Sequence, residues 1–166
     1  MDIARCPVLI ADYFIAHSDV PFTPLQVIKL VYIAHGYSLA ILGKPLVEED
    51  VEAWRYGPVV PSVYHSAKKY RGNPIKELLY SGIPIDGERI NSAKKFFKDL
   101  IPERQRVILD GVLEGYGGYT GLQLTNMTHS DDSPWKRYYK PQVLGQRIPD
   151  DAIKKHYLEM IRNVRT

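Results

Sequence analysis

The sequence feature that most restricts the fold is a long apolar segment from Leu25 to Leu42. Thr23-Pro24 precedes it and predicts a helix start, because a threonine side chain caps free amides and a proline at the first helical position loses no hydrogen bond. Gly43 predicts the helix end. The helix is apolar on nearly every side, which is typical of the central helix of a buried core.

The same segment does not have the composition of a membrane-spanning helix, which needs roughly 18 continuous apolar residues. Five residues interrupt it, namely Gln26, Lys29, His35, Gly36 and Ser38. We therefore predict no membrane association. The N-terminus has no basic region followed by a long apolar run, so we expect no signal peptide and a cytoplasmic location.

Proline, glycine and capping signals predict several further helices. They cover Pro7–Ala16, Pro61–Tyr70, Ser92–Leu100, Glu103–Tyr116, Gly121–Met127, a helix that starts at Pro134 after the cap Ser133, and a last helix capped by Asp150 or Asp151. Glu52–Tyr56 is predicted as a short strand or an extended edge, and Arg71–Asn91 as loops with at most a short hairpin. We therefore predict a mostly α fold: a compact helical domain around a central buried helix, with a few short strands at one edge.

Composition and length indicate one globular domain over residues 1–166. Hydrophobic residues make up 45% of the chain and charged residues 25%, both ordinary for a globular protein. The single cysteine, Cys6, excludes an internal disulfide. The net charge is +3, but residues 1–53 carry three basic and seven acidic side chains, which leaves +7 on the rest. This asymmetry can form one acidic and one basic face, but we expect solvated helix faces whose charges balance in three dimensions.

No motif of catalytic or metal-binding chemistry stands out. The five histidines lack the short helical spacing of a zinc site, and we predict that His35 is a hydrogen-bonded core residue. The segment Thr128–Ser133 combines hydroxyls, carboxylates and an imidazole, but Ser133 precedes a proline and predicts a helix cap. We therefore predict no enzyme activity, no cofactor and no metal. A hydrolase built around His129 and Asp132 is the minor alternative, because triad members normally come from separate parts of a fold.

Arginine and tyrosine side chains are the candidate partner contacts. The chain has 12 tyrosines against 4 phenylalanines, and tyrosine packs on one side of its ring while its hydroxyl forms hydrogen bonds. Arginine and tyrosine are also enriched in binding hot spots. We therefore predict that Arg55, Tyr56, Arg137 and Tyr138 bind a partner. The alternative is that these side chains pack inside the domain, as we expect for Trp54.

Four strings in this order carry a family resemblance: Lys29–Tyr37, Glu52–Val59, Leu124–His129 and Ser133–Trp135. Together they resemble the Panacea domain family, which includes SocA-like antitoxins and many prophage-borne proteins. The resemblance extends over nearly the whole chain. It implies a small, mostly helical protein that neutralises a toxin encoded beside it, either by direct binding or by delivering the toxin to a bacterial AAA+ protease.

Two functions stay open at this point. The first is an antitoxin that binds a cognate protein toxin encoded by a neighbouring gene. The second is a nucleic-acid-binding prophage regulator that uses the basic C-terminal half, where Lys136–Lys140 places cations beside tyrosines. Salt distinguishes them, because affinity that depends on phosphate contacts falls steeply as the salt concentration rises.

Overall fold

The computed structural model describes residues 2–165, and its fold is mostly helical, as predicted, with 61% helix and a small three-stranded sheet. The α-helices of this described part are α1 (Pro7–His17), α2 (Pro24–Leu42), α3 (Pro61–Ala67), α4 (Gly87–Leu100), α5 (Glu103–Tyr116), α6 (Gly121–Thr128), α7 (Pro134–Tyr138) and α8 (Asp150–Arg165). The strands are β1 (Val51–Trp54), β2 (Gly57–Val59) and β3 (Arg147–Ile148).

Helix α2 is the central element of the core, as its sequence predicts. The Thr23 hydroxyl accepts a hydrogen bond from the backbone N–H of Gln26, and the Gln26 side chain accepts one from the backbone N–H of Thr23. Gly43 ends the helix in the left-handed conformation, with φ 68°. Helices α1, α5, α6 and α8 pack around α2, so nearly all of its positions from Pro24 to Leu39 are buried or half-buried.

Within residues 2–165, α2 is the one helix long and apolar enough to cross a membrane, yet its polar side chains have partners in the protein. His35 Nε2 lies 2.9 Å from Asp150 Oδ1, and His35 Nδ1 accepts a hydrogen bond from the Leu46 N–H at 3.3 Å. Ser38 Oγ donates to the Lys44 carbonyl oxygen at 2.8 Å. His35 is therefore a hydrogen-bonded core histidine, as predicted.

Helix α8 covers one side of α2. The prediction that Asp150 or Asp151 caps this helix is wrong, because the helix begins at Asp150 and the Asp150 carboxylate bonds to His35 instead. This hydrogen bond lowers the pKa of Asp150. The two helices approach closely at Gly36, where a Cβ atom would overlap the ring of Tyr157. Glycine at this position lets the tyrosine ring approach the α2 backbone closely.

The strands form an antiparallel sheet in the order β2-β1-β3. The predicted strand over Glu52–Tyr56 is wrong in extent, because β1 ends at Trp54 and the next two residues turn the chain into β2. Gly57 pairs with Trp54 and has φ 115°, a value that glycine adopts without steric strain. Gly57 and Pro58 therefore begin an edge strand, where a proline is tolerated.

Helix α4 begins at Gly87, earlier than the predicted start at Ser92. The Asp86 carboxylate accepts a hydrogen bond from the Arg89 N–H at 3.0 Å and caps the helix. The Asp86 cap therefore determines where the helix begins. The sequence does not indicate this start clearly, because a glycine occupies the first helical position. The residues before Asp86 form the predicted loop, with an isolated antiparallel bridge.

The helix predicted over Pro61–Tyr70 changes character before its end. It is α-helical to Ala67, and Lys68–Tyr70 continues as a 3-10 turn. Arg71 follows with φ 55°, and among residues 2–165 it is the only non-glycine residue with positive φ. The chain therefore leaves α3 through a tight turn that presents Lys68 and Arg71 to solvent.

Candidate functional site

The candidate site is built on the turn that joins β1 to β2. Because Trp54 pairs with Gly57, Arg55 and Tyr56 form a two-residue turn. Both side chains are exposed, and the Tyr56 side chain is the more prominent, with a relative accessible surface of 66% for the residue. The Arg55 guanidinium carbon lies 5.5 Å from the centroid of the Tyr56 ring. The structure therefore places the first predicted pair on an exposed corner of the sheet.

A buried lysine of α2 holds this turn from the side of the core. The Lys29 ammonium donates hydrogen bonds to the carbonyl oxygens of Tyr56 at 2.8 Å and of Pro58 at 3.2 Å. Lys29 is fully buried, and burial lowers its pKa to about 7. A Cβ atom at Gly57 would overlap the Lys29 ammonium, so the approach of the turn to this cation requires a glycine.

Three aromatic rings are stacked beside the turn. The ring centroids of His129 and Trp135 are 3.8 Å apart and nearly parallel, and those of Trp135 and Tyr139 are 4.8 Å apart. Trp135 Nε1 donates a hydrogen bond to the Trp54 carbonyl oxygen at 2.6 Å, which ties α7 to β1. Burial, and next the charge of Lys29, lower the pKa of His129 and favour its neutral form.

The four strings that carry the family resemblance meet in this cluster. Lys29 belongs to the first string and the turn to the second, while His129 belongs to the third and Trp135 to the fourth. The first, third and fourth strings therefore support the turn that the second string forms, through hydrogen bonds, close packing and ring stacking. The resemblance thus includes the residues that give the turn its conformation.

The second predicted pair, Arg137 and Tyr138, lies on α7. Arg137 is exposed and Tyr138 is half-buried, with the guanidinium carbon 5.7 Å from the ring centroid. Arg137 lines a cavity of about 380 Å³ between α7 and α8, which also contains the acidic residues Asp131, Asp132 and Glu159. Arg137 therefore lines a different cavity from Arg55 and Tyr56, and the hydrogen bond from Trp135 to Trp54 connects the elements that carry the two pairs.

A cleft of about 570 Å³ opens beside the turn, between the start of α2 on one side and α3 with the turn that follows it on the other. Its charged lining residues are all basic, and we call it the basic cleft: Lys29, Arg55, Lys68 and Arg71. No motif in the sequence assigns Lys29, Lys68 or Arg71 to a site. The available signal was Lys29 itself, because a lysine inside an apolar helix is buried only where oxygen acceptors meet it.

A larger cavity of about 730 Å³ lies between α1, α4 and the loop that precedes α4. The buried Asp12 carboxylate accepts hydrogen bonds from the N–H groups of Leu79 at 2.6 Å and Tyr80 at 2.9 Å, which attaches the loop to α1. Burial raises the pKa of Asp12 to about 6. The rim is mostly apolar and includes the exposed side chains of Ile83 and Phe96.

The hydroxyl groups singled out in the sequence have structural partners. Thr128 Oγ1 donates to the Leu124 carbonyl oxygen at 3.1 Å, and Ser133 Oγ accepts from the Lys136 N–H at 3.1 Å, which confirms the predicted cap of α7. Among residues 2–165, no group of three or more histidine, cysteine, aspartate or glutamate side chains is arranged to hold a metal ion. The His129 ring stacks on the ring of Trp135.

This helical chain with its exposed, supported turn matches a known protein family. The family profile described as "Antitoxin SocA-like, Panacea domain" matches residues 27–136, and the chain belongs to this family. The chain is 34% identical over 151 residues to Antitoxin SocA of Caulobacter vibrioides (strain NA1000 / CB15N), an alignment that covers 84% of this chain and 73% of that protein. No solved structure gives a significant match. The resemblance predicted from the four strings is confirmed.

Proposed function

We propose that this protein is an antitoxin that binds a protein toxin encoded by a neighbouring gene and neutralises it. Its family membership supports the antitoxin role. Neutralisation occurs either by direct binding or by delivery of the bound toxin to an AAA+ protease. The protein acts in the cytoplasm, without catalysis, a cofactor or a metal.

The observation that carries the binding part of this proposal is the exposed turn on a rigid support. Arg55 and Tyr56 present a planar cation and an aromatic ring, and such groups bury a large area while they keep directional hydrogen bonds. Lys29 and Trp135 hold the backbone of the turn, so little conformational entropy is lost when a partner binds there. We also propose Arg137 and Tyr138 as contacts, on the α7 side of the same support.

The alternative is a regulator that binds nucleic acid through the basic C-terminal half. One observation disfavours it: in the cavity that Arg137 lines, three carboxylates, Asp131, Asp132 and Glu159, offset the three cations Lys136, Arg137 and Lys155, so this surface has no excess of positive charge. Carboxylates repel the phosphate groups that supply most of the affinity for nucleic acid. Salt therefore distinguishes the two functions: a protein–DNA complex should lose affinity steeply as salt is added, and a complex with the toxin less steeply.

Co-expression with the genomic neighbour tests the proposal. The neighbour alone should stop growth, and the wild-type chain should restore it. The double substitution Arg55→Ala/Tyr56→Ala should abolish the rescue and weaken toxin binding by about 2 kcal/mol or more, because hot-spot side chains contribute on this scale. The melting temperature should stay unchanged, because both side chains are exposed.

The matched control is Tyr80→Ala, which removes another tyrosine of similar exposure, 59% against 66% for Tyr56. This variant should still restore growth, and its melting temperature should equal that of the wild type. Arg137→Ala/Tyr138→Ala, tested separately, shows whether the α7 pair also contacts the toxin. A neighbour that is harmless when expressed alone would refute the antitoxin proposal for this protein.

A further inference from the structure

We infer that the basic cleft binds an acidic segment of the protein partner, in which carboxylates flank a large apolar side chain. This inference rests on the proposed function and adds the chemistry of the partner. The cleft has a volume of about 570 Å³, within the range of pockets that enclose a ligand. The turn residues Arg55 and Tyr56 form one of its walls.

Unpaired positive charge is the first argument. Arg55, Lys68 and Arg71 are exposed at the cleft, and among the described residues none of them forms an ion pair with a carboxylate. No aspartate or glutamate lines the cleft. Arg71 also has φ 55° and ψ −112°, a backbone conformation that is unfavourable for a residue with a side chain. The partner that complements this charge carries carboxylates.

The start of α2 adds to the positive potential. Leu25 lies in the first turn of this 19-residue helix and lines the cleft, so the positive end of the helix dipole lies at the cleft. The side chain of Leu25 is half-buried, and Ile28 and Val59 continue an apolar floor beneath the cations. An apolar floor below a cationic rim fits a large apolar side chain between carboxylates.

The aromatic rings favour a peptide over a single-stranded nucleic acid. Bases bind by stacking on open aromatic faces. Trp54 packs edge-to-face with Tyr64, with the ring centroids 4.9 Å apart, and Arg55 lies over the ring of Tyr56. The Trp54 ring is therefore in contact with Tyr64, and Arg55 covers one face of the exposed Tyr56 ring, so both rings are less free to stack on bases.

The test selects peptides on the full-length protein. A phage library of random dodecapeptides is panned against the wild type, with Arg55→Glu/Lys68→Glu as the counter-selection. The enriched peptides should pair two or more carboxylates with a large apolar residue. A synthetic peptide of the enriched sequence should bind the double variant about tenfold more weakly or worse, and Lys94→Glu/Lys95→Glu should bind as the wild type does. The control reverses two exposed charges on α4, away from the cleft.

The outcomes that overturn the inference are distinct from those that overturn the proposed function. Selection without acidic enrichment, no selection at all, or equal binding by the wild type and Arg55→Glu/Lys68→Glu would refute it. The inference would also be refuted if single-stranded DNA bound the wild type more tightly than the peptide does and bound Arg55→Glu/Lys68→Glu much more weakly. If this variant melts early, Arg55→Ala/Lys68→Ala replaces it. A toxin neutralised equally by wild type and variant refutes the cleft and the Arg55 contact but not the antitoxin role, whereas a harmless neighbour refutes the antitoxin role.

Discussion

Lys29 is the residue that connects the core most directly to the candidate site. Its ammonium donates hydrogen bonds to the backbone on both sides of Gly57, and burial lowers its pKa in the folded protein from 10.5 to about 7. Between these two values the unfolded chain binds more protons than the folded chain. The free energy of unfolding that depends on Lys29 therefore rises as the pH increases through this window.

We predict that Lys29→Met removes this pH dependence. From about pH 7 to about pH 9, the wild type should gain free energy of unfolding relative to the variant, with a slope of at most about 1.4 kcal/mol per pH unit. Urea denaturation at both pH values measures the difference. Lys95→Met, at an exposed position of α4, is the control. A difference between the wild type and Lys29→Met that is independent of pH would contradict the lowered pKa.

At the scale of elements, α2 determines the architecture because other helices cover it on several sides. Leu30 and Ile33 are 0% and 2% exposed. We predict that Leu30→Ala or Ile33→Ala lowers the free energy of unfolding by about 2–5 kcal/mol, because each leaves a cavity in a closely packed core. Ile41→Ala, at a position of the same helix that is 56% exposed, is the matched control and should change it little. Equal effects at the three positions in denaturant titrations would show that α2 is not the core helix.

Elements with strong local signals could be predicted from the sequence, and those that depend on distant contacts could not. Thr23 and Gly43 determine the ends of α2 through bonds within a few residues, so the predicted boundaries hold. Asp150 fits the pattern of a helix cap, but its carboxylate bonds to His35, which is distant in the sequence. The β1–β2 hairpin was missed because Gly57-Pro58 also fits a simple chain break.

The same difference between local signals and distant contacts explains which parts of the candidate site can be predicted from the sequence. Arg55 and Tyr56 were predicted because their side chains alone are typical of binding hot spots, and the structure exposes them. The basic cleft was not predicted, because Lys29, Lys68 and Arg71 are brought together by the packing of α2, the hairpin and α3. No local sequence pattern indicates that α2, the hairpin and α3 pack together at this point.

At the scale of the whole molecule, the core extends beyond the residues that the family profile matches. The match ends at residue 136, yet α8 makes more contact with α2 than any other element does. Ile153 and Tyr157 are 0% and 3% exposed, and both belong to the hydrophobic core. The C-terminal helix is therefore part of the folding unit that supports the turn, through α2 and Lys29.

We predict that a chain ending at residue 149 does not fold, because removal of α8 exposes the face of α2 around Gly36 and leaves His35 without its carboxylate partner. Circular dichroism should show the loss of a cooperative thermal transition, and the truncated chain should no longer neutralise the toxin. A chain ending at residue 161 is the control, since residues 162–165 are exposed, and it should melt close to the wild type. If the shorter chain melted cooperatively at the wild-type temperature, α8 would be an addition to an independent core, and the turn would owe its rigidity to residues before 149 alone.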